Sequence, residues 1–215
     1  MSEGDQELRA LMIRYQRGSL EAFEEIYTQL APGVRRYLLH LAGGSEIADD
    51  LLQETFLQMH RSRAAYNPAY AVRPWVFGLA RNVFLMNRRA ARQWAKIHES
   101  REDLPEFPVL PEADSLGSRD EIRRCIASLP SDQAEALLLH HEWGFSFEEI
   151  AGMLGISAAA ARARASRGMA DLRAALSSLQ SAQAARRELP GTNNSADLAA
   201  ARESVVRKLL KRARA

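Results

Sequence analysis

The chain has 215 residues, 47% hydrophobic and 26% charged, and its 29 Lys+Arg against 27 Asp+Glu leave a formal charge of only +2. Such a composition can bury a core, which excludes a largely disordered chain, and the length allows one or two ordinary domains. Cys125 is the single cysteine, which excludes an intramolecular disulfide and a multi-thiolate zinc site and points to a reducing compartment.

The opening MSEGDQELRA is acidic and polar where a signal peptide needs a basic start and an apolar run. No stretch approaches the roughly 18 uninterrupted apolar residues of a membrane span, so a cytoplasmic protein without a transmembrane segment is expected. The first 60 residues are acidic, with ten acids against five bases, and their apolar spacing is helical. Leu8, Leu11, Met12 and Tyr15 follow the i, i+3, i+4, i+7 rule. Phe23, Ile26, Tyr27 and Leu30 repeat it behind Ser19, a good N-cap, and Val34, Tyr37, Leu38 and Leu41 repeat it again. Gly43 and Gly44 break the chain, after which Ser45 is predicted to cap a helix with the apolar face Ile47, Leu51, Thr55 and Met59.

From residue 61 to 101 the sign reverses, because nine bases face Glu99 alone. The stretch RSRAAYNPAYAVRPW interleaves Arg61, Arg63 and Arg73 with Tyr66, Tyr70 and Trp75 in a loop, and aromatic rings among guanidinium groups suit unstacked bases. A long helix over 75–96 is predicted next, with Pro74 in its first turn and packing through Trp75, Leu79, Val83 and Met86. Its other face carries Arg81, Arg88 and Arg92 with Asn82 and Arg89 beside them, a stripe spaced to follow phosphates. Residues 102–118 turn acidic and hold Pro105, Pro108 and Pro111, the composition of an extended linker.

Beyond the linker, Ile122, Ile126 and Leu129 mark an amphipathic helix in which Cys125 is packed, not reactive. The sharpest local signal runs from 146 to 176. Ser146 and Glu149 form a capping box, Gly155 permits a tight turn, Ile156 plugs the interhelical angle and Ser157 caps the next helix, which together read as a helix-turn-helix. In the second helix Ala161, Ala165, Met169, Leu172 and Leu176 face inward. Ser157, Ala159, Ala160, Arg162, Ala163, Arg164 and Arg167 are its candidates for a DNA groove, with specificity resting on few arginines and on methyl contacts. The tail from 179 ends in KLLKRARA and could form a basic amphipathic helix through Leu198, Val205, Val206, Leu209 and Leu210, although a frayed terminus is the better reading.

Four segments together, IADDLLQETFLQMH (47–60), YNPAYAVRPWVFGLARN (66–82), LPSDQAEALLLH (129–140) and FSFEEIAGMLGIS (145–157), make the chain resemble an extracytoplasmic-function sigma factor of the sigma-seventy family. The resemblance implies an all-α protein of two small helical domains: 1–101, which binds polymerase and the minus-ten element, and 119–178, which reads the minus-thirty-five element, with a linker at 102–118 and a tail at 179–215. It implies that Asp49, Asp50, Gln53 and Glu54 meet core RNA polymerase, and that Arg61, Arg63, Tyr66, Asn67, Arg73, Trp75, Arg81, Asn82 and Arg88 engage the minus-ten element of promoter DNA. An anti-sigma factor is the further partner implied. Two departures stand out: the recognition helix is alanine-rich, with Ala165 where a large apolar residue is usual, and Gly168 weakens it by up to about 1 kcal/mol relative to Ala.

No catalytic chemistry is expected. His140 and His141 are adjacent and diverge on a helix, Gly43-Gly44-Ser45 lacks the lysine of a phosphate loop, and neither a metal, a cofactor nor a small-molecule substrate is implied. The competing readings are a helix-turn-helix regulator that binds duplex DNA without polymerase and a helical adaptor that binds only protein. An acidic helix ahead of a basic, aromatic loop favours the sigma reading over both.

Overall fold

A computed structural model describes residues 3–97 and 118–187. The chain forms α1 (Glu3–Gln16), α2 (Leu20–Ala42), α3 (Ser45–Ser62), a 3₁₀ turn (Arg63–Ala65), α4 (Val72–Ile97), α5 (Ser118–Ala127), α6 (Ser131–His141), α7 (Phe147–Leu154) and α8 (Ala158–Arg187). Among the described residues there is no strand, so the class is all-α. Residues 102–117 of the expected linker and 188–215 of the expected tail lie outside the described residues. The described residues fall into two compact units, 3–97 with Phe145–Ala158, and 118–144 with 159–187.

In the first unit, α1 buries the predicted Leu8, Leu11, Met12 and Tyr15. The two apolar runs that follow belong to one helix, because Pro32 lies inside α2 without ending it. Its ring faces solvent, where water can take the Thr28 carbonyl that the missing N–H leaves free. Ser19 caps α2 by accepting from Ala22 N at 3.2 Å, and Gly43 closes it at φ +72° with its N–H on Leu39 O. Gly44 then becomes the N-cap of α3 without a side-chain hydrogen bond, so Ser45, expected as the cap, is the first helical residue. The buried face of α3 runs through Ala48, Leu51, Leu52, Thr55, Phe56 and Met59; Ile47, expected on it, is 49% exposed.

The fourth helix packs against α1, α2 and α3 and so forms the spine of this unit. It begins at Val72, which puts Pro74 in the first turn, where no intrahelical donor is lost. Three neighbouring helices rotate its buried face to Val72, Val76, Phe77, Ala80, Val83 and Phe84, leaving the expected core residue Met86 66% exposed. On the same unit, Phe145 meets Phe77 edge-on with centroids 5.0 Å apart, and α7 packs along α4.

The second unit is built from α5, α6 and α8 around Cys125, Leu129, Ala134, Leu137, Leu172 and Ala175, with Ile126, Met169, Leu176 and Leu179 packed against them. Cys125 is buried and burial pushes its thiol pKa up, the state of a packing residue. The glycine that weakens α8 locally has a tertiary reason: a Cβ on Gly168 would lie 2.9 Å from the backbone oxygen of Gln133. With buried Ala161 and Ala165 on the same side, α8 presents a strip of small residues, and this permits the close approach to the start of α6. The helix continues past 178 to Arg187.

Candidate nucleic-acid interface

The acidic row of α3 lies off its buried face, so Asp50, Gln53 and Glu54 are exposed. Asp49 is held: Arg35 of α2 donates from Nε at 2.6 Å and from Nη2 at 2.9 Å to its two carboxylate oxygens. The Arg35 hydrogen bond holds the Asp49 carboxyl below its usual pKa, and Asp49 in turn raises that of Arg35. Glu54 pairs with Arg61 at 3.5 Å. Asp49 and Glu54 thus each have a cationic partner, and the one screening Asp49 is Arg35, fourteen residues away, which no local pattern signals.

The loop after α3 separates its aromatics into supporting and displayed groups. Tyr66 is 4% exposed, packs at a tilt of 48° on the half-buried Trp75 with centroids 4.9 Å apart, and donates its hydroxyl to Tyr70 O at 2.6 Å. Burial raises the Tyr66 pKa, against the charge and hydrogen bond of Arg9 in α1. Asn67 is exposed and makes an Asx turn, its Oδ1 accepting from Ala69 N at 2.9 Å while Tyr70 N donates to Asn67 O at 3.1 Å. That turn lifts Tyr70 into solvent at 69% exposure. Composition alone counted Tyr66 and Tyr70 as equal members of the loop; their opposite burial arises from packing against α1 and α4.

Further along, α4 carries Asn82, Arg89 and Arg92 exposed and Arg81 and Arg88 half-buried, all off the apolar face. Arg63 stays at the start of the loop, where Nη1 donates to His60 O at 2.8 Å. The Arg73 guanidinium lies over the Phe145 ring, 5.2 Å from its centroid.

The capping box at the start of α7 is complete: Ser146 Oγ accepts from Glu149 N at 3.2 Å, and Glu149 Oε2 accepts from Ser146 N at 2.8 Å. Gly155 ends α7 at φ +68°, in the left-handed region that the tight turn requires, and Ile156 N donates to Ala151 O at 3.1 Å. Ser157, Ala159, Arg162 and Arg167 are exposed and Ala160, Ala163 and Arg164 intermediate. Within the second unit Arg164 Nε is 3.2 Å from Asp132 Oδ2 and is only 28% exposed, so it braces α8 against α6. Among the described residues no cluster of three or more metal-ligating side chains occurs, and no helix is long and apolar enough to cross a membrane.

Comparison with known proteins agrees with this arrangement. The family described as Sigma-70 region 2 matches residues 26–94, and Sigma-70, region 4, matches 119–172. RNA polymerase sigma factor CarQ of Myxococcus xanthus is 35% identical over 170 residues, covering 79% of this chain and 97% of that protein. ECF RNA polymerase sigma factor EcfG of Rhodopseudomonas palustris (strain TIE-1) is 29% identical over 153 residues, covering 67% and 80%. The solved structure of the sigma factor RpoE in complex with the anti-sigma factor NepR from Bartonella quintana shares the fold, with a TM-score of 0.62 at 21% identity over 74% of this chain and 98% of that one. A two-part helical protein with both sigma regions in order is a transcription initiation factor. The chain belongs to the extracytoplasmic-function family of RNA polymerase sigma factors.

Proposed function

We propose that this sigma factor divides its work along the chain, with residues 1–101 serving core polymerase and the minus-ten element and residues 119–178 serving the minus-thirty-five element. Asp50, Gln53 and Glu54, with Asp49 behind its Arg35 partner, meet core polymerase. Asn67, Tyr70, Arg61, Arg63, Arg73, Arg81, Asn82 and Arg88 hold the opened minus-ten strand, with Tyr66 and Trp75 as the aromatic support beneath them. Ser157, Ala159, Ala160, Arg162, Ala163 and Arg167 face the minus-thirty-five duplex, with Arg164 braced by Asp132.

The observation that carries this reading is the turn that exposes Asn67 and Tyr70 immediately ahead of the cationic side of α4. Unpairing and unstacking a base costs a few kcal/mol, and an exposed ring plus arginines on the phosphates offset that cost by binding, without catalysis. The protein works in the cytoplasm, without cofactor or small-molecule substrate, and is restrained there by an anti-sigma factor.

Reconstitution with core polymerase on a promoter library tests the division of labour. Asp50→Lys should weaken core binding about tenfold or more, whereas Arg81→Ala and Arg88→Ala should leave core binding intact and slow open-complex formation. Failure of the wild-type chain to bind core, together with tight sequence-specific binding of duplex DNA alone, would overturn the reading.

A further inference from the structure

Gln16 is the last residue of α1 and precedes the residues matched to Sigma-70 region 2. Its side-chain amide Nε2 donates to Arg63 O at 2.8 Å and to Tyr66 O at 2.9 Å, across 47 and 50 positions of sequence. Both partners are carbonyl oxygens, so only the NH₂ end of the amide satisfies them. The two carbonyls bracket the 3₁₀ turn that leaves α3 and opens the loop. One side chain therefore sets the spacing of the loop's first stem.

The neighbouring contacts extend this hold in both directions. Tyr15 Oη lies 2.6 Å from His60 Nδ1, which ties the end of α1 to the last turn of α3. On the loop side, Tyr66 passes the constraint to Tyr70 through its hydroxyl, and the Asn67 turn completes the path. A surface loop loses backbone entropy when it is ordered on a ligand, and a loop already fixed avoids that cost.

We infer that Gln16 is a positioning residue for promoter opening: it touches no DNA, but it holds the Arg63–Tyr66 stem so that Asn67 and Tyr70 stand ready for an unstacked base. The inference rests on the proposed role of the loop in binding the minus-ten element. It assigns to α1 a part in promoter opening in addition to its part in the core.

The test uses the full chain, core polymerase and a promoter selected by the wild-type holoenzyme from a library. Gln16→Ala and Gln16→Glu should each slow open-complex formation by about fivefold or more, since neither can donate to the carbonyls. Core affinity should stay at the wild-type value, and the thermal midpoint should fall by only a few degrees for the two lost hydrogen bonds. Gln16→Lys, whose ammonium can donate to both oxygens, should return the rate to within about twofold. Tyr70→Ala and Asn67→Ala are the controls for the loop itself. Wild-type opening by Gln16→Ala while Tyr70→Ala is slow would overturn the role of Gln16 and leave the loop reading intact. Wild-type opening by all three variants would remove the loop reading on which the inference depends. Loss of core affinity in step with opening would make Gln16 a fold support only and overturn the inference.

Discussion

His40 lies in the last turn of α2, and burial pulls its pKa from 6.5 down to about 4. The folded protein thus refuses a proton that the unfolded chain accepts. Its contribution to stability is complete above the unfolded value of 6.5 and is lost as pH falls toward the folded value of about 4. His40→Gln carries no such proton, so the gap in unfolding free energy between wild type and variant should shift against wild type by roughly 2–3 kcal/mol between pH 7.5 and pH 4.5. Urea titrations at the two pH values measure it, and parallel behaviour would contradict a desolvated, neutral imidazole at this half-buried position. The loop shows the same dependence on environment at the scale of single side chains. Tyr66 and Tyr70 are chemically identical and four residues apart, yet one is a buried strut and the other an exposed ring. Both residues were legible as a nucleic-acid signal, but their assignments follow from Trp75, Gln16 and Arg9, which only folding brings to Tyr66.

Among the elements, α8 shows how a local cost serves a tertiary contact. Glycine is a poor helix residue, and Gly168→Ala raises intrinsic propensity by up to about 1 kcal/mol. In this protein the added methyl would meet the Gln133 backbone oxygen at 2.9 Å, and backbone cannot swing aside as a long side chain can. Gly168→Ala should therefore destabilise the protein by about 1–3 kcal/mol, read from the urea midpoint at unchanged slope. A stabilised variant would show that α8 does not approach α6 this closely. The helical stripes of α1 and α8 were legible because period and burial coincide. The faces of α3 and α4 were displaced from expectation at Ile47 and Met86, since periodicity marks a stripe whose centre depends on how many neighbours pack on it. Pro32 lies between two apolar runs of one helix, and its exposed position in α2 makes the loss of one donor tolerable.

For the whole molecule, the small net charge of +2 conceals segments of opposite sign, and this ordering is what separates polymerase-facing from DNA-facing stretches in the proposed mechanism. The core of the second unit ends at Leu179. A chain cut after Gln180 keeps every side chain of that cluster and should support promoter-directed transcription with core polymerase to within about tenfold of the full chain. A larger loss would assign a working role to 181–215.

The sequence alone determined the helical class, the caps at Ser19 and Ser146, the turn at Gly155 and the membership of the family. Each of these is written in residues close together along the chain or in a long ordered pattern of them. Only the tertiary structure decided that Arg35 screens Asp49, that Gln16 grips the loop, that Tyr70 and not Tyr66 is displayed, and that Gly168 is needed for packing. Periodicity and capping report energies between near neighbours, whereas these assignments depend on groups that meet when the helices pack, such as Arg35 with Asp49 across 14 positions and Gln16 with Tyr66 across 50.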